Sequence, residues 1–101
     1  MQKIRQIMCC CGNGLGSSMF IKMNIQNVIE DLGIKNVTVF NGSITDAHPY
    51  SADMFVAGID VAPVLRKYPR VVILKDLISY EEAREKLKQA FESEEERFFI
   101  I

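Results

Sequence analysis

The 101-residue chain has no tryptophan, one histidine and three prolines, and its 12 basic residues almost cancel its 13 acidic ones. A protein that tracks a nucleic-acid backbone normally shows a clear basic excess, so the net charge of −1 argues against DNA or RNA as the main partner. No apolar run approaches the roughly 18 to 20 residues that span a bilayer. Lys3 and Arg5 are followed by Cys9-Cys10-Cys11-Gly12 rather than by an apolar signal core with a cleavage site, so secretion is not expected. The three cysteines are odd in number and consecutive, and neighbouring strand residues point to opposite faces, which makes a poor disulfide framework. A reducing cytoplasm is the expected compartment. Metal is not expected either, because Cys9, Cys10 and Cys11 lack ligand spacing and the lone His48 stands in a polar loop. No cofactor motif is present, and the length suits one domain over residues 1–101.

What is present alternates between two periodicities. Residues 4–10 are short and apolar and stop at Gly12-Asn13-Gly14, the reading of a strand buried on both faces. Beyond Gly16, Ile21, Ile25, Val28, Ile29 and Leu32 recur at three and four, without proline and with Gly33 as the stop, which predicts a helix. Residues 36–40 (NVTVF) form a second strand closed by Asn41-Gly42, residues 54–57 a third ending at Gly58, and residues 71–74 (VVIL) a fourth. Asp60 is placed to cap a short helix through Val61, Pro63 and Leu65. Ser79-Tyr80-Glu81-Glu82 reads as a capping box, opening a helix with Ala83, Leu87, Ala90 and Phe91 on one face. Residues 81–101 hold seven Glu against four Lys and Arg, a polarity read as a solvated helix face and tail rather than a docking site. The apolar end Phe98-Phe99-Ile100-Ile101 is expected to pack against the rest. Strands alternating with helices predict an α/β fold, an open parallel four-stranded sheet with helices on both faces, Rossmann-like or flavodoxin-like. Ligands bind such sheets at the carboxyl ends of the strands where the chain order reverses, which singles out the loop after strand one.

That loop is Cys11, Gly12, Asn13, Gly14, Leu15, Gly16, Ser17 and Ser18. Its glycines allow positive φ, so backbone N–H groups can turn inward just ahead of a helix N-terminus, a shape that suits a tetrahedral dianion. The same amides would lower the pKa of a thiol at the mouth, making Cys11 nucleophilic near neutral pH. Cys9 and Cys10 lie inside the strand and read as small buried hydrophobes. The glycine spacing is not G-x-G-x-x-G, no acidic residue closes the second strand to hold a ribose, and no Lys follows the last glycine, so nucleotide readings are weak.

The run Cys-Gly-Asn-Gly-Leu-Gly-Ser-Ser-Met, between a strand and an amphipathic helix, resembles the enzyme IIB components of the bacterial phosphoenolpyruvate-dependent sugar phosphotransferase system. It is most similar to the ascorbate type and its lactose and galactitol relatives. The resemblance implies that Cys11 accepts a phosphoryl group from a phosphohistidine of a IIA partner and passes it to a sugar bound by a membrane-embedded IIC permease. It implies that Gly12, Asn13, Gly14, Leu15, Gly16, Ser17 and Ser18 are the phosphate cradle, and that the protein works in the cytoplasm, at the inner face of the membrane through IIC.

The loop also resembles that of low-molecular-weight tyrosine phosphatases, which place an Arg where this chain has Ser17 and a hydroxyl residue where it has Ser18. Loss of the guanidinium removes a bidentate clamp on the transferring group, which suits a carrier that must hold a thiophosphate without hydrolysing it. A phosphatase-like hydrolase or reductase is the alternative. It would need a general acid, and Asp46, Asp53, Asp60 and Asp76 all lack the Asp-Pro context of that fold. Met19, Phe20 and Met23 fall off the apolar stripe of the first helix, so they either cover a sheet edge or neighbouring helix or form an apolar patch for partners, with Lys22 attracting an acidic rim.

Overall fold

The computed structural model describes residues 4–11 and 17–101. Within them five strands form one parallel sheet: β1 (Gln6–Cys11), β2 (Thr38–Ser43), β3 (Met54–Gly58), β4 (Arg70–Leu74) and β5 (Phe98–Ile100), in the order β2-β1-β3-β4-β5. The helices are α1 (Ser17–Asp31), the single turn α2 (Ala62–Leu65) and α3 (Tyr80–Glu92). Strand residues alternate between two cores. Ile7, Cys9, Met54, Val56, Val72 and Leu74 pack with α1 and α3 on one face. Met8, Cys10, Phe55, Ala57, Val71 and Ile73 pack with α2 on the other. The expected doubly covered parallel sheet is therefore present, and no helix of the described residues is long and apolar enough to cross a membrane.

The fifth strand corrects the expected count of four. Phe98 N–H donates to the Pro69 carbonyl at 2.9 Å, and Phe98, Phe99 and Ile100 pair in register with Arg70, Val71 and Val72. The apolar end packs, as expected, but as an edge strand whose three residues are too few to show a periodicity. The second strand is also shifted. Asn36 has φ 65°, a left-handed conformation that no strand residue adopts, so pairing begins only at Thr38. Asn41 and Gly42 do not close β2, because β1 runs alongside them as far as Cys11, in register with Ser43. A Cβ on Gly42 would stand 2.7 Å from Met8 Cε, so the glycine here makes room for a core side chain rather than a turn.

Helix α1 buries Ile21, Ile25 and Val28 completely. It ends in a Schellman motif in which Ile34 N–H reaches the Ile29 carbonyl and Gly33 N–H the Glu30 carbonyl, each at 3.1 Å, with Gly33 at φ +70°. The chain enters α2 through a 3₁₀ turn, Ile59–Val61, so Asp60 is already inside a helical turn and does not cap; Val61 is the N-cap and makes no side-chain cap bond. The thin cover on the α2 face is completed by Tyr68. Its ring meets Phe55 edge-on at 4.8 Å and its hydroxyl donates to the Ala47 carbonyl.

Half of the expected capping box forms. Ser79 Oγ accepts from the Glu82 amide, but the Glu82 carboxylate does not return to Ser79. It accepts instead from the amides of Lys75 at 2.7 Å and Asp76 at 2.8 Å, and from Lys86 Nζ at 2.6 Å, while Lys86 also donates to the Ile73 carbonyl. The turn after β4 is thereby tied to α3. Burial pushes the Glu82 carboxyl up, yet the bonds from Lys86, Lys75 and Asp76 outweigh it and leave the group below its ordinary value of 4.5.

Two stability predictions follow from these contacts. Nothing lies within 4 Å of a Cβ built on Gly33, so Gly33→Ala should cost about 1 kcal/mol in chemical denaturation from backbone conformation alone. Glu82→Gln should cost about 1 to 2 kcal/mol at neutral pH, the scale of charge-assisted hydrogen bonds. Because the folded pKa lies below 4.5, the carboxylate's contribution is complete above that pH and is lost as the pH falls through the folded value. The gap between wild type and Glu82→Gln should therefore narrow on acidification, measured as denaturation midpoints from pH 6 to pH ~3.

Candidate functional site

The strand order fixes where a ligand belongs. From β1 the chain moves outward to β2 on one side and returns to β3 on the other, so the order reverses at the carboxyl end of β1. That end is Cys11, and α1 opens at Ser17. Of the expected cradle, Gly12, Asn13, Gly14, Leu15 and Gly16 lie outside the described residues, as do the side chains of Cys11, Ser17 and Ser18.

The other two thiols are withdrawn from chemistry. Cys9 and Cys10 are fully buried on opposite faces of β1. Burial pushes the Cys9 thiol far above its ordinary value, Cys10 adds to the shift, and the positive charge of Lys22 on α1 offsets part of it. Cys10 Sγ donates to the Met8 carbonyl at 4.0 Å. Both are closed to solvent, and the raised Cys9 thiol stays protonated near neutral pH.

Three further segments reach the same edge of the sheet. After β2, Ser43 Oγ lies 2.8 Å from Thr45 Oγ1 and accepts from the Thr45 amide, starting the 3₁₀ turn Ile44–Asp46. After β3 come the exposed Ile59 and Asp60. After β4 comes the turn of residues 75–79, in which Asp76 Oδ1 accepts from the Ile78 amide and holds Ile78 outward. Asn24, the buried polar residue of the described core, donates from Nδ2 to the carbonyls of Leu77 at 3.3 Å and Ser79 at 3.0 Å. Residues 75–79 are thus fastened to α1 by Asn24 and to α3 by Glu82. Sequence reasoning missed this double fastening; its one visible signal, the acid at position 82, was assigned to the wrong amide.

The remaining candidates are placed elsewhere or occupied. His48 is exposed in the loop before β3, its amide donating to Ser51 Oγ at 3.0 Å. Asp53 is at the opposite edge of the sheet, where its carboxylate accepts from the amides of Arg5 and Gln6. Asp76 is engaged in its own turn, and the side chain of Asp46 lies outside the described residues. Asp60 stands exposed at the carboxyl edge of the sheet.

Met19, Phe20 and Met23 are 52%, 59% and 55% exposed, so they do not cover a sheet edge or a neighbouring helix. They stand on the first two turns of α1, directly after the loop.

Residues 6–89 match the family model described as the lactose/cellobiose-specific IIB subunit of the PTS system. The matched span starts at β1 and includes every element as far as α3. Over 54 residues the chain is also 33% identical to the ascorbate-specific PTS system EIIB component of Mycoplasma pneumoniae. That alignment covers 52% of this chain and 57% of the relative, so the chain spans little more than half of that protein's length. With a parallel sheet reversing at the cysteine strand and a family match over most of its length, the chain belongs to the lactose/cellobiose-type IIB subunits of the phosphotransferase system.

Proposed function

We propose that this chain, acting as one domain over residues 1–101, is a phosphoryl carrier of sugar transport, a protein-phosphocysteine sugar phosphotransferase with Cys11 as its acceptor. The observation that carries the reading is the position of Cys11 as the last residue of β1 at the order reversal of the sheet, ahead of α1, while Cys9 and Cys10 are buried. Gly12, Asn13, Gly14, Leu15, Gly16, Ser17 and Ser18 serve as the phosphate cradle, through backbone amides and the two hydroxyls. IIA supplies the phosphoryl group and the IIC permease presents the sugar, so the protein works in the cytoplasm and meets the membrane through IIC.

In the first step the Cys11 thiolate attacks phosphorus of the IIA phosphohistidine. An S–P bond forms and the N–P bond breaks, its electron pair staying on the ring nitrogen; net, the thiol proton ends on the imidazole. In the second step a sugar hydroxyl attacks the same phosphorus, an O–P bond forms, and the thiolate leaves with the S–P pair. Amides at the mouth of α1 stabilise both the thiolate and the phosphoryl oxygens. Ser17, standing where a phosphatase has its Arg, leaves the thiophosphate without the clamp that would hasten attack by water.

Phosphorylation with phosphoenolpyruvate, the general phosphotransferase proteins and a IIA protein should give one adduct per chain, labile to iodine. Cys11→Ser should abolish that iodine-labile adduct, while Cys9→Ala and Cys10→Ala keep it. Persistence of the adduct in Cys11→Ser with loss in a His48 variant contradicts the assignment, and robust turnover of p-nitrophenyl phosphate would move the protein to the hydrolase class. Native iodoacetamide labelling at neutral pH should modify Cys11 first, with phosphate or sulfate slowing the reaction, and unfolding should be needed to label Cys9 and Cys10. Equal labelling of the three thiols in the native state is the contrary result.

A further inference from the structure

The last position of β3 is a glycine for reasons of space. Gly58 has φ −80°, which suits any residue, yet a Cβ built there would stand 2.8 Å from Asp60 Oδ1 and 3.1 Å from Leu77 Cδ2. The chain turns at once into the 3₁₀ segment Ile59–Val61, and the Asp60 carboxylate folds back over the strand it has just left. No hydrogen bond or ion pair among the described residues engages that carboxylate. β3 is a direct neighbour of β1, and the register Cys10↔Ala57 sets Gly58 beside Cys11. Adjacent strands lie about 4.8 Å apart, so Asp60 brings a negative charge to within roughly 8 Å of the end of β1.

The other charges at this edge stand differently. Lys75 and Asp76 follow β4, one strand further out, and Asp76 Oδ1 is held by the Ile78 amide. Glu82 and Lys86 neutralise each other as an ion pair. After β2, the described polar side chains of Ser43 and Thr45 are uncharged. Lys22, on the second turn of α1, is half-buried, and its charge reaches β1, where it acts on Cys9. The end of β1 thus stands between a lysine on α1 and a carboxylate after β3. A lysine alone would favour the thiolate over the thiol, and the thiophosphate dianion more strongly still. A carboxylate opposes both changes, the second more than the first.

We infer that Asp60 is a counter-charge that keeps the phosphoryl group of Cys11 transferable: it makes the thiophosphate less stable relative to the free thiol, without touching the reacting atoms. The inference rests on the carrier reading above and adds a reason why the chain gives the group up. The exchange itself is unchanged: the N–P bond of IIA breaks, the S–P bond forms, and the thiol proton passes to the imidazole. Asp60 shifts that equilibrium towards IIA and, by the same amount, favours passage of the group to a sugar hydroxyl. Gly58 contributes by leaving the carboxylate its room.

The test reads the charge first without any phosphoryl transfer. Iodoacetamide alkylation of Cys11, localised by mass spectrometry, is followed against pH in wild type, Asp60→Asn and Gly58→Ala. Asp60→Asn should lower the midpoint by about half a pH unit, the effect of removing one solvated charge at this range. The gap should close at about 1 M salt, where the screening length is about 3 Å. Gly58→Ala keeps the charge but displaces it, so its shift should have the same direction and be smaller. An unchanged midpoint in Asp60→Asn, or a gap that high salt leaves intact, overturns the inference. With phosphorylated IIA, the exchange should favour the phosphorylated chain several-fold more in Asp60→Asn than in wild type, and an unshifted or reversed equilibrium also overturns it. Absence of any Cys11 adduct in both chains sinks the carrier reading and this inference with it, whereas a normal adduct with unshifted midpoints sinks the inference alone.

Discussion

Burial of β1 on both faces and along both edges is the constraint on which the rest of the structure depends. With β2 and β3 paired to it and α1, α3 and α2 covering the sheet, its residues from Ile7 to Cys10 are buried. Of three consecutive cysteines, Cys9 and Cys10 are thereby buried, and Cys11 is the last residue of the strand. Burial keeps Cys9 protonated, since a charge formed inside the sheet would lose its hydration with no partner to replace it.

A second set of contacts acts at right angles to the strands. The core holds α1 against the sheet through Ile21, Ile25 and Val28, and Asn24 specifies its relation to the turn after β4. An apolar residue at that position could fill the volume without fixing how α1 stands relative to the Leu77 and Ser79 carbonyls, because hydrophobic contact is not directional. Glu82 performs the corresponding task from α3, with a carboxylate placed on two successive amides. Tyr80, whose hydroxyl donates to Asp31, ties the start of α3 to the end of α1. The carboxyl edge is therefore built from elements whose mutual positions are set by directional bonds.

How much of this was legible in the sequence divides along physical lines. Strands whose apolar residues are all buried, such as Met54–Gly58 and Arg70–Leu74, read directly from their apolar runs, and α1 reads from its spacing and Gly33. Position in the chain also singled out the carboxyl end of β1, where the order of the parallel sheet reverses. The misreadings arose where a local signal has two physical uses. Asn41-Gly42 commonly marks a turn, yet here the glycine clears space for Met8. An acid three residues after a serine commonly closes a capping box, yet Glu82 reaches amides seven and six residues before it. Asp60 has the chemistry of a cap, but the chain was already turning when it arrived there. The strand Phe98–Ile100 exists because β4 offers an open edge, a tertiary fact that three residues cannot encode.

The carrier proposal turns on one chemical point: that among three adjacent cysteines Cys11 alone accepts the phosphoryl group, as a thiophosphate. Phosphorus NMR of the chain after incubation with a phosphorylated IIA protein tests this directly, because S–P, N–P and O–P bonds give resonances in separate regions. The account predicts a single S–P resonance that disappears in Cys11→Ala and persists in Cys9→Ala and Cys10→Ala. An N–P or O–P resonance as the only signal, or an S–P resonance that survives loss of Cys11, would contradict it.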